Sequence, residues 1–374
     1  MLRPDSDKRL LWLLLILSFF TAVSLSAMWY VHGFLFLLML FSVMKYGHPG
    51  SGLMGRALGL YLFFQVFPVI FSPYPRGTLI SMEHLFAFSM FFIMTQFVEK
   101  DKTVRLLLIA YIAGASLSSA YGVARFVLGI DERARAFFGG WSTLAAVSSY
   151  ALFMSLVFFI KEKKLPYLAA FTLNTAGLIV TMERSRTIAV ILLVFLMLVL
   201  FYRKKLHIFA AVTIIVFALS PSSFRARFSD TFQMRRGWTS GRDELWSEGW
   251  RLFKERPVTG WGRGSIKEII DYDNISDHGV GNWHNSWLQH LVDSGLPGFI
   301  AWVIVIALFF GVYARFAVGL YGRDYLPFIL FGCGTMFIIV SFFGSVNYSF
   351  LSPRANYMFW GLLEVMRRNK TRVK

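Results

Sequence analysis

The chain has 374 residues, of which 56% are hydrophobic and 16% are charged. Soluble domains contain about 45–50% apolar and about 25% charged residues, so a soluble fold could not bury this much apolar surface. The same composition excludes intrinsic disorder. The net charge of +17 comes from 38 basic and 21 acidic residues. In a membrane protein this excess first indicates cytoplasmic loops rather than nucleic-acid binding. The composition therefore predicts an all-α protein that crosses the membrane several times.

Twelve apolar stretches approach the length of about 20 residues that a spanning helix needs. The first stretch follows Lys8 and Arg9 and resembles a signal peptide, but another apolar segment follows almost at once. We therefore interpret it as a retained span. The stretches cover residues 10–27, 29–45, 57–73, 78–97, 105–128, 137–160, 165–182, 187–202, 206–220, 296–316, 324–345 and 352–366.

More than half of the basic residues lie in short segments on one side of these spans. The positive-inside rule then predicts that both termini are cytoplasmic and that the longest loop is external. We divide the chain into helices 1–9 (residues 1–220), a large external loop (221–295) and helices 10–12 (296–374). The single cysteine, Cys333, lies in an apolar stretch and is interpreted as a small core residue.

In this division the large loop is the only sizeable region outside the membrane, and its numbers of basic and acidic residues are nearly equal. Ser240 and Asp243 predict the start of a helix, which Pro257 would end. A glycine-rich turn follows at residues 260–264, and a second helix is expected to begin near His284 and to stop at residues 295–298. We expect the first helix to lie on the outer membrane surface with an apolar face down. That face consists of Leu245, Trp246, Gly249, Trp250 and Phe253.

His284 is the first candidate for chemistry. On a helix it would share an apolar face with Trp287, Leu288 and Leu291. An imidazole at the outer boundary can accept a proton near neutral pH. The alternative is an interfacial histidine that only hydrogen-bonds a neighbour. His290 lies on a different face and is interpreted as solvated.

Arginines form the second candidate feature. Arg184 and Arg186 occupy a short external turn that opens a span, and Arg242 lies in the first turn of the loop helix. Helix N-termini attract anions, and arginine binds phosphate in a bidentate manner. The alternative is ordinary pairing of Arg184 with Glu183, and of Arg242 with a loop acid or a lipid headgroup.

Other chemistry lacks support in the sequence. Asp271-Tyr272-Asp273 resembles a metal–nucleotide-sugar motif, but three-residue patterns arise easily by chance. The sequence contains no P-loop, zinc-hydrolase or dinucleotide motif. Acids within the spans are scarce, Glu83 and Glu364 being the main ones. This scarcity argues against an ion-coupled transporter.

Together these residues resemble the O-antigen ligase and polymerase superfamily of bacterial membrane proteins. His284-Asn285, nine residues, Gly295, two residues and Gly298 are similar to its H-N-x9-G-x2-G signature. Residues 257–264 are similar to its P-x-x-G-x-G-x-G turn, and Ser185-Arg186 opens a span as in the family. The resemblance is specific over residues 183–300 and elsewhere depends on the span count.

The resemblance implies a GT-C-like, inverting membrane glycosyltransferase in the bacterial inner membrane. Its donor would be a glycan linked to undecaprenyl pyrophosphate, and its acceptor would be lipid A–core oligosaccharide on the periplasmic face. His284 would be the general base, and Arg186 and Arg242 would bind the pyrophosphate, with Arg184 as a second contact. Asn285 would orient the helix or bind substrate. Neither cofactor nor metal is implied.

Two alternatives to the ligase remain open at this point. The same signature occurs in polymerases, which use a second lipid-linked repeat as acceptor, and in members that glycosylate proteins. A transporter of lipid-linked glycan is a hypothesis from another class, in which the basic loop would capture the lipid. A continuous polar path through the spans would favour the transporter.

Overall fold

The computed structural model describes residues 8–47, 52–232, 242–270, 281–342, 344 and 351–372, and every regular element within these ranges is helical. Three short 3₁₀ segments cover Phe67–Ile70, Met82–Phe88 and Arg203–Lys205. The α-helices are α1 Lys8–Phe20, α2 Leu25–Tyr46, α3 Gly52–Val66, α4 Pro75–Ser81, α5 Ser89–Phe97, α6 Asp101–Val127, α7 Trp141–Glu162, α8 Leu165–Thr181, α9 Arg184–Phe201, α10 Leu206–Leu219, α11 Ser222–Phe232, α12 Arg242–Glu255, α13 Ile266–Ile269, α14 Ser286–Leu320, α15 Leu326–Ser341 and α16 Leu351–Arg372.

Seven helical segments in the described part of the chain are long and apolar enough to cross a membrane. They are Leu25–Tyr46, Gly52–Ile70, Pro75–Phe97, Asp101–Val127, Trp141–Glu162, Arg184–Phe201 and Ser286–Leu320. The helices Leu165–Thr181 and Leu326–Ser341 are shorter but also apolar. The prediction of an all-α polytopic membrane protein is confirmed, whereas the number twelve stays a prediction.

Two predicted spans differ from the helices that form. The first apolar stretch breaks at residues 21–24, where Ser24 Oγ accepts a hydrogen bond from Ala27 N (3.3 Å) and caps α2. Residues 75–97 form α4, a 3₁₀ segment and α5 rather than one continuous α-helix. Hydropathy detects the apolar length of such a segment but not the points at which the helix breaks.

One end of the bundle gathers the connections that the sequence predicts to be cytoplasmic, and we call it the basic end. Lys370 Nζ on α16 forms ion pairs with Asp101 (2.9 Å) and Asp324 (3.1 Å). Arg105 pairs with Glu162 at 2.8 Å. These contacts join three connections, which are far apart in the chain, and the end of α16.

The opposite end gathers the remaining connections, and we call it the loop end. Ser72 Oγ donates to the carbonyl oxygen of Trp261 (2.7 Å), and Ala134 N donates to that of Val180 (3.0 Å). Ser286 Oγ donates to the carbonyl oxygen of Gly344 (2.9 Å). The described connections thus alternate between two ends, as the predicted order of spans requires. Which end faces the cytoplasm stays a prediction.

The helices differ in how deeply they are buried. Helices α7 and α15 have mostly buried side chains, and Cys333 on α15 is fully buried, in agreement with its interpretation as a core residue. By contrast, α10 has no buried residue. Because α10 is apolar on all sides, it is suited to a position at the lipid boundary.

Candidate active site

The loop helix α12 packs on the first turns of α14. Its buried face contains Leu245, Gly249 and Leu252. A Cβ at Gly249 would come within 2.8 Å of Leu288 and 2.9 Å of Trp283, so only glycine permits this approach. The predicted helix is confirmed, but much of its apolar face contacts protein. Trp250 points outward, with 47% of its surface exposed.

The glycine-rich turn interlocks with a kink in α14. Gly260, Gly262 and Gly264 have positive φ angles of 65°, 94° and 77°. Trp261 N and Gly262 N donate to the carbonyl oxygens of Val292 (2.9 Å) and Asp293 (3.0 Å). These bonds join the turn to α14 and fix its height against the helix.

Gly295 forms the other half of this interlock. It leaves the helical conformation inside α14, with φ 63° and ψ −169°, so the expected stop at residues 295–298 is a kink and the helix continues to Leu320. Leu296 N donates to the carbonyl oxygen of Pro257 at 2.7 Å. A Cβ at Gly295 would lie 2.5 Å from the carbonyl oxygen of Val258. Both the φ angle and the close approach require glycine.

Replacing Gly295 by alanine is expected to destabilise the protein by about 2–4 kcal/mol, since left-handed backbone strain adds to overpacking. Thermal unfolding in detergent, followed by tryptophan fluorescence, measures the loss. The matched control is Gly311→Ala on the same helix, where a Cβ meets nothing within 4 Å. Equal melting temperatures for the two variants would contradict the interlock.

His284 lies just outside α14, and its placement on a helical turn was wrong. Asn285 is the N-cap, and its Oδ1 accepts hydrogen bonds from Trp287 N (2.9 Å) and Leu288 N (3.1 Å). His284 precedes this cap with φ 49°, a left-handed conformation that is uncommon for residues other than glycine. It therefore does not share the helical face with Trp287 and Leu288. Its side chain is partly exposed.

His290 is fully buried, so its interpretation as a solvated histidine was also wrong. Its Nδ1 lies 3.2 Å from the hydroxyl of Tyr61 on α3, and its ring packs against Trp302 with centroids 5.0 Å apart. Tyr61 is 229 positions away from His290 in the chain. The face of α14 that bears His290 points into the bundle because α3 covers it.

The three predicted arginines all lie at the loop end. Arg184 and Arg186 stand in the first turn of α9, whose N-cap is Glu183. Arg186 is 4% exposed and interacts electrostatically with Tyr111, whereas Arg184 is partly exposed. The first turn of a helix offers N–H groups and a positive dipole end, which add to the two guanidinium charges.

Arg242, the first residue of α12, meets this turn from another element. Burial lowers the pKa of Arg242 below its ordinary value; Glu183 opposes this shift and Arg184 adds to it. These interactions place Arg242 beside Glu183 and Arg184, which are some sixty positions earlier in the chain. An arginine whose charge is disfavoured by burial and by a second arginine gains when an anion arrives. We call Arg184, Arg186 and Arg242 the arginine cluster.

Helix α12 connects the arginine cluster to His284. Arg242 lies one turn before Trp246 on the same face of the helix. Trp246 Nε1 donates to the carbonyl oxygen of Trp283 at 2.9 Å, immediately before His284. One helix therefore links Arg242 to the backbone immediately before His284.

Sequence reasoning missed a buried cation in the glycine turn. Arg263 is only 2% exposed, and its guanidinium lies within hydrogen-bonding range of Tyr61, close to His290 and Tyr357. It belongs to the buried polar group around Tyr61 and His290. The flanking Gly262 and Gly264 were the available signal, because glycines so closely spaced indicate a turn that comes close to other segments.

Two earlier predictions lie outside the described residues: the cap at Ser240 and the acidic motif at residues 271–273. Within the described ranges, no group of three or more histidine, cysteine, aspartate or glutamate side chains could hold a metal ion.

An apolar groove of about 450 Å³ opens beside the arginine cluster. Helices α7, α8, α9 and α10 form its walls, and Phe224 and Phe228 of α11 close one end. Thr187, the residue after Arg186, is part of the lining at the loop end, and Lys205 lies at the basic end. On α9 the lining extends from Thr187 to Leu198, which corresponds to about 16 Å of helix.

The fold and the site define a polytopic membrane protein with a cluster of arginines and a histidine at one end. Residues 168–303 match the model of a family described as O-antigen ligase. The match covers α9, the loop helices, the glycine turn and the His284–Gly298 signature, and it confirms the resemblance to the O-antigen ligase and polymerase superfamily. It supports a glycosyltransferase-like function of the O-antigen ligase or polymerase type. No curated protein matches the chain significantly.

Proposed function

We propose that this protein is an O-antigen ligase that transfers a glycan from undecaprenyl pyrophosphate to lipid A–core oligosaccharide. One observation carries the proposal: α12 places Arg242 beside Arg184 and, through Trp246, contacts the residue before His284. A transferase of this kind needs a site for a pyrophosphate leaving group and a base for an acceptor hydroxyl. The loop end contains candidates for both.

The donor's two halves correspond to two neighbouring features. Arg184, Arg186 and Arg242 supply cationic donors for the pyrophosphate, with α9 contributing its positive N-terminus. The adjacent groove is long and apolar enough for part of a polyprenyl chain. A lipid-linked donor would place its charged group at the cluster and its chain between α9 and α10.

The proposed reaction inverts the anomeric carbon in one displacement. His284 takes the proton of the acceptor hydroxyl, whose oxygen forms a bond to the anomeric carbon. The bond from that carbon to the pyrophosphate oxygen breaks, and the leaving group departs with the electron pair. The arginine cluster neutralises the charge that develops on it. Asn285 contributes through the helix cap that it makes.

The reaction draws its energy from the donor's own pyrophosphate linkage, so neither ATP nor a metal ion enters the proposed chemistry. We assign the protein to the bacterial inner membrane, with both termini cytoplasmic and the loop end periplasmic. The basic residues of the opposite end support this orientation. The division at residues 220 and 295 puts the proposed catalytic loop between the end of α10 and the kink in α14.

Reconstitution tests the acceptor directly. The purified protein in liposomes receives undecaprenyl-pyrophosphate glycan and EDTA, with or without lipid A–core and without ATP. We expect glycan on lipid A–core, with inverted anomeric configuration. Chains that lengthen on the donor alone would instead identify a polymerase. If the protein is folded and the glycan crosses the bilayer without being transferred, the result would contradict an enzymatic function and favour a transporter.

A further inference from the structure

The backbone of His284 is held in an unusual conformation. Besides glycines, Lys163, Met182 and His284 have positive φ angles in the described part of the chain. Lys163 and Met182 are helix C-caps, where a left-handed residue is ordinary. His284 instead precedes an N-cap, so its conformation must be imposed by the contacts around it. Such strain is found at functional sites when the surroundings enforce it.

Contacts on both sides of His284 enforce this conformation. Its own N–H donates to Oδ1 of Asn282 at 3.0 Å. The N–H of Trp283 donates to Oε1 of Gln289 at 3.1 Å, and the carbonyl oxygen of Trp283 accepts from Trp246. The following residue, Asn285, is fixed by its cap. Trp283, the residue before His284, is thus bound through both its N–H and its carbonyl oxygen.

Gln289 is the buried member of this set. It is 1% exposed, and its Nε2 donates to Oδ1 of Asp293 at 2.8 Å, one turn further along α14. Since a backbone N–H can only donate, the Gln289 atom that faces Trp283 must be the oxygen. The amide nitrogen is then left to face Asp293, whose own carbonyl oxygen accepts from Gly262. Gln289 therefore connects the glycine turn to the backbone N–H of Trp283, the residue before His284.

From these contacts we propose that Gln289 is a positioning residue that holds His284 in its working orientation through the backbone of Trp283. The proposal rests on the role of His284 in the proposed function. A glutamine is required because one side chain must both accept and donate at this reach. Leucine of similar size can do neither, and asparagine is shorter by one methylene.

The first test replaces Gln289 by leucine and, as a milder change, by asparagine. We expect the turnover number to fall about 10- to 100-fold, as for a reacting group that is displaced by a fraction of an ångström to 1 Å. The KM for the lipid-linked donor should stay unchanged, because the arginine cluster lies on α9 and α12. Ser294→Ala is the matched control, a buried polar residue of α14 that bonds Gln65 instead (3.0 Å). Normal turnover in both folded Gln289 variants would overturn the proposal.

A double-mutant cycle separates positioning from general damage. In the His284→Ala background, Gln289→Leu should not lower the residual rate further, because the group that it positions is gone. An equal further loss would mean that Gln289 acts on the fold rather than on His284. If His284→Ala alone keeps full activity, the proposed base has failed, and that result is distinct from a failure of Gln289.

A charge-conserving swap provides the rescue. In Gln289→Glu the carboxylate can still accept from Trp283 N, but it faces the carboxylate of Asp293. Adding Asp293→Asn restores a donor to this contact and returns the net charge to that of the native pair. We expect the double variant to recover most of the turnover lost in Gln289→Glu. If both proteins are folded and turnover does not recover, the proposed role of the Trp283–Gln289–Asp293 hydrogen bonds is contradicted.

Discussion

Replacing His284 by alanine is expected to lower the turnover number about 10²- to 10⁴-fold, the range for loss of a positioned general base. The acceptor hydroxyl would then have to lose its proton to water as it attacks. Donor affinity should change little, because the arginine cluster lies on other elements. The measurement is the initial rate of glycan transfer in liposomes, with donor binding measured separately.

The control for this experiment is His207→Ala. His207 is exposed at the basic end, far from the loop-end site. Its replacement by alanine removes the same chemical group, an imidazole. Its turnover should equal that of the native protein. Full turnover in folded His284→Ala would reject the general-base role and leave His284 at most a binding residue.

The second large effect concerns the donor. Arg242→Ala is expected to weaken binding of the lipid pyrophosphate about 10- to 150-fold, since a hydrogen bond to a charged group contributes about 1.5–3 kcal/mol. Arg186→Ala and Arg184→Ala should act in the same direction, the latter less because Arg184 is more exposed. Isothermal titration with undecaprenyl pyrophosphate in detergent measures these affinities. Arg256→Ala is the matched control, a loop arginine that donates to the carbonyl oxygen of Phe71 (3.0 Å).

Arg242→Lys adds a pH dependence to this prediction. Burial, and then the charge of Arg184, disfavour the cation at this position, while Glu183 favours it. Their net effect lowers the pKa of Arg242, but an arginine starts so high that it stays charged across the neutral range. A lysine starts about two to three units lower, so the same surroundings bring its deprotonation closer to neutral pH. Affinity in Arg242→Lys should therefore fall as pH rises from 7 to 10, while native affinity holds.

Equal pH profiles for native protein and Arg242→Lys would contradict this electrostatic account. Unchanged affinity in both Arg186→Ala and Arg242→Ala would remove the pyrophosphate role from the cluster. A loss in Arg242→Ala alone would instead show that the α9 turn contributes through its N–H groups rather than through the Arg186 side chain.

The features that were predicted correctly depend on neighbouring residues along the chain. The apolar stretches, the amphipathic pattern of α12 and its end before Pro257 all follow from local composition and periodicity. The glycine turn could also be predicted, because three glycines within five residues indicate positive φ angles. Local patterns likewise placed Arg186 at the start of a helix and Arg184 in the turn just before it, where the structure begins α9.

The errors at His284 and His290 have a common cause. A helical wheel assumes that the helix continues, but Asn285 caps α14 and leaves His284 outside it. The wheel also shows no partner, so the burial of His290 against Tyr61 could not be read from α14. Arg263 and Gln289 were missed for the same reason, since each acquires its role from segments that are distant in the chain or from the capped turn before α14.

The sequence by itself determined a helical membrane protein with one large polar loop, and its signature residues indicated the superfamily. These properties are sums of local free energies of transfer and of helix formation, which each residue contributes wherever the chain goes. Only the three-dimensional structure decided that Arg242 meets Glu183 and Arg184, and that Gln289 binds the backbone N–H of Trp283. The first contact depends on the packing of α12 against α9, and the second on the capped turn that folds back on α14. Either exists only when both partners arrive at the same place.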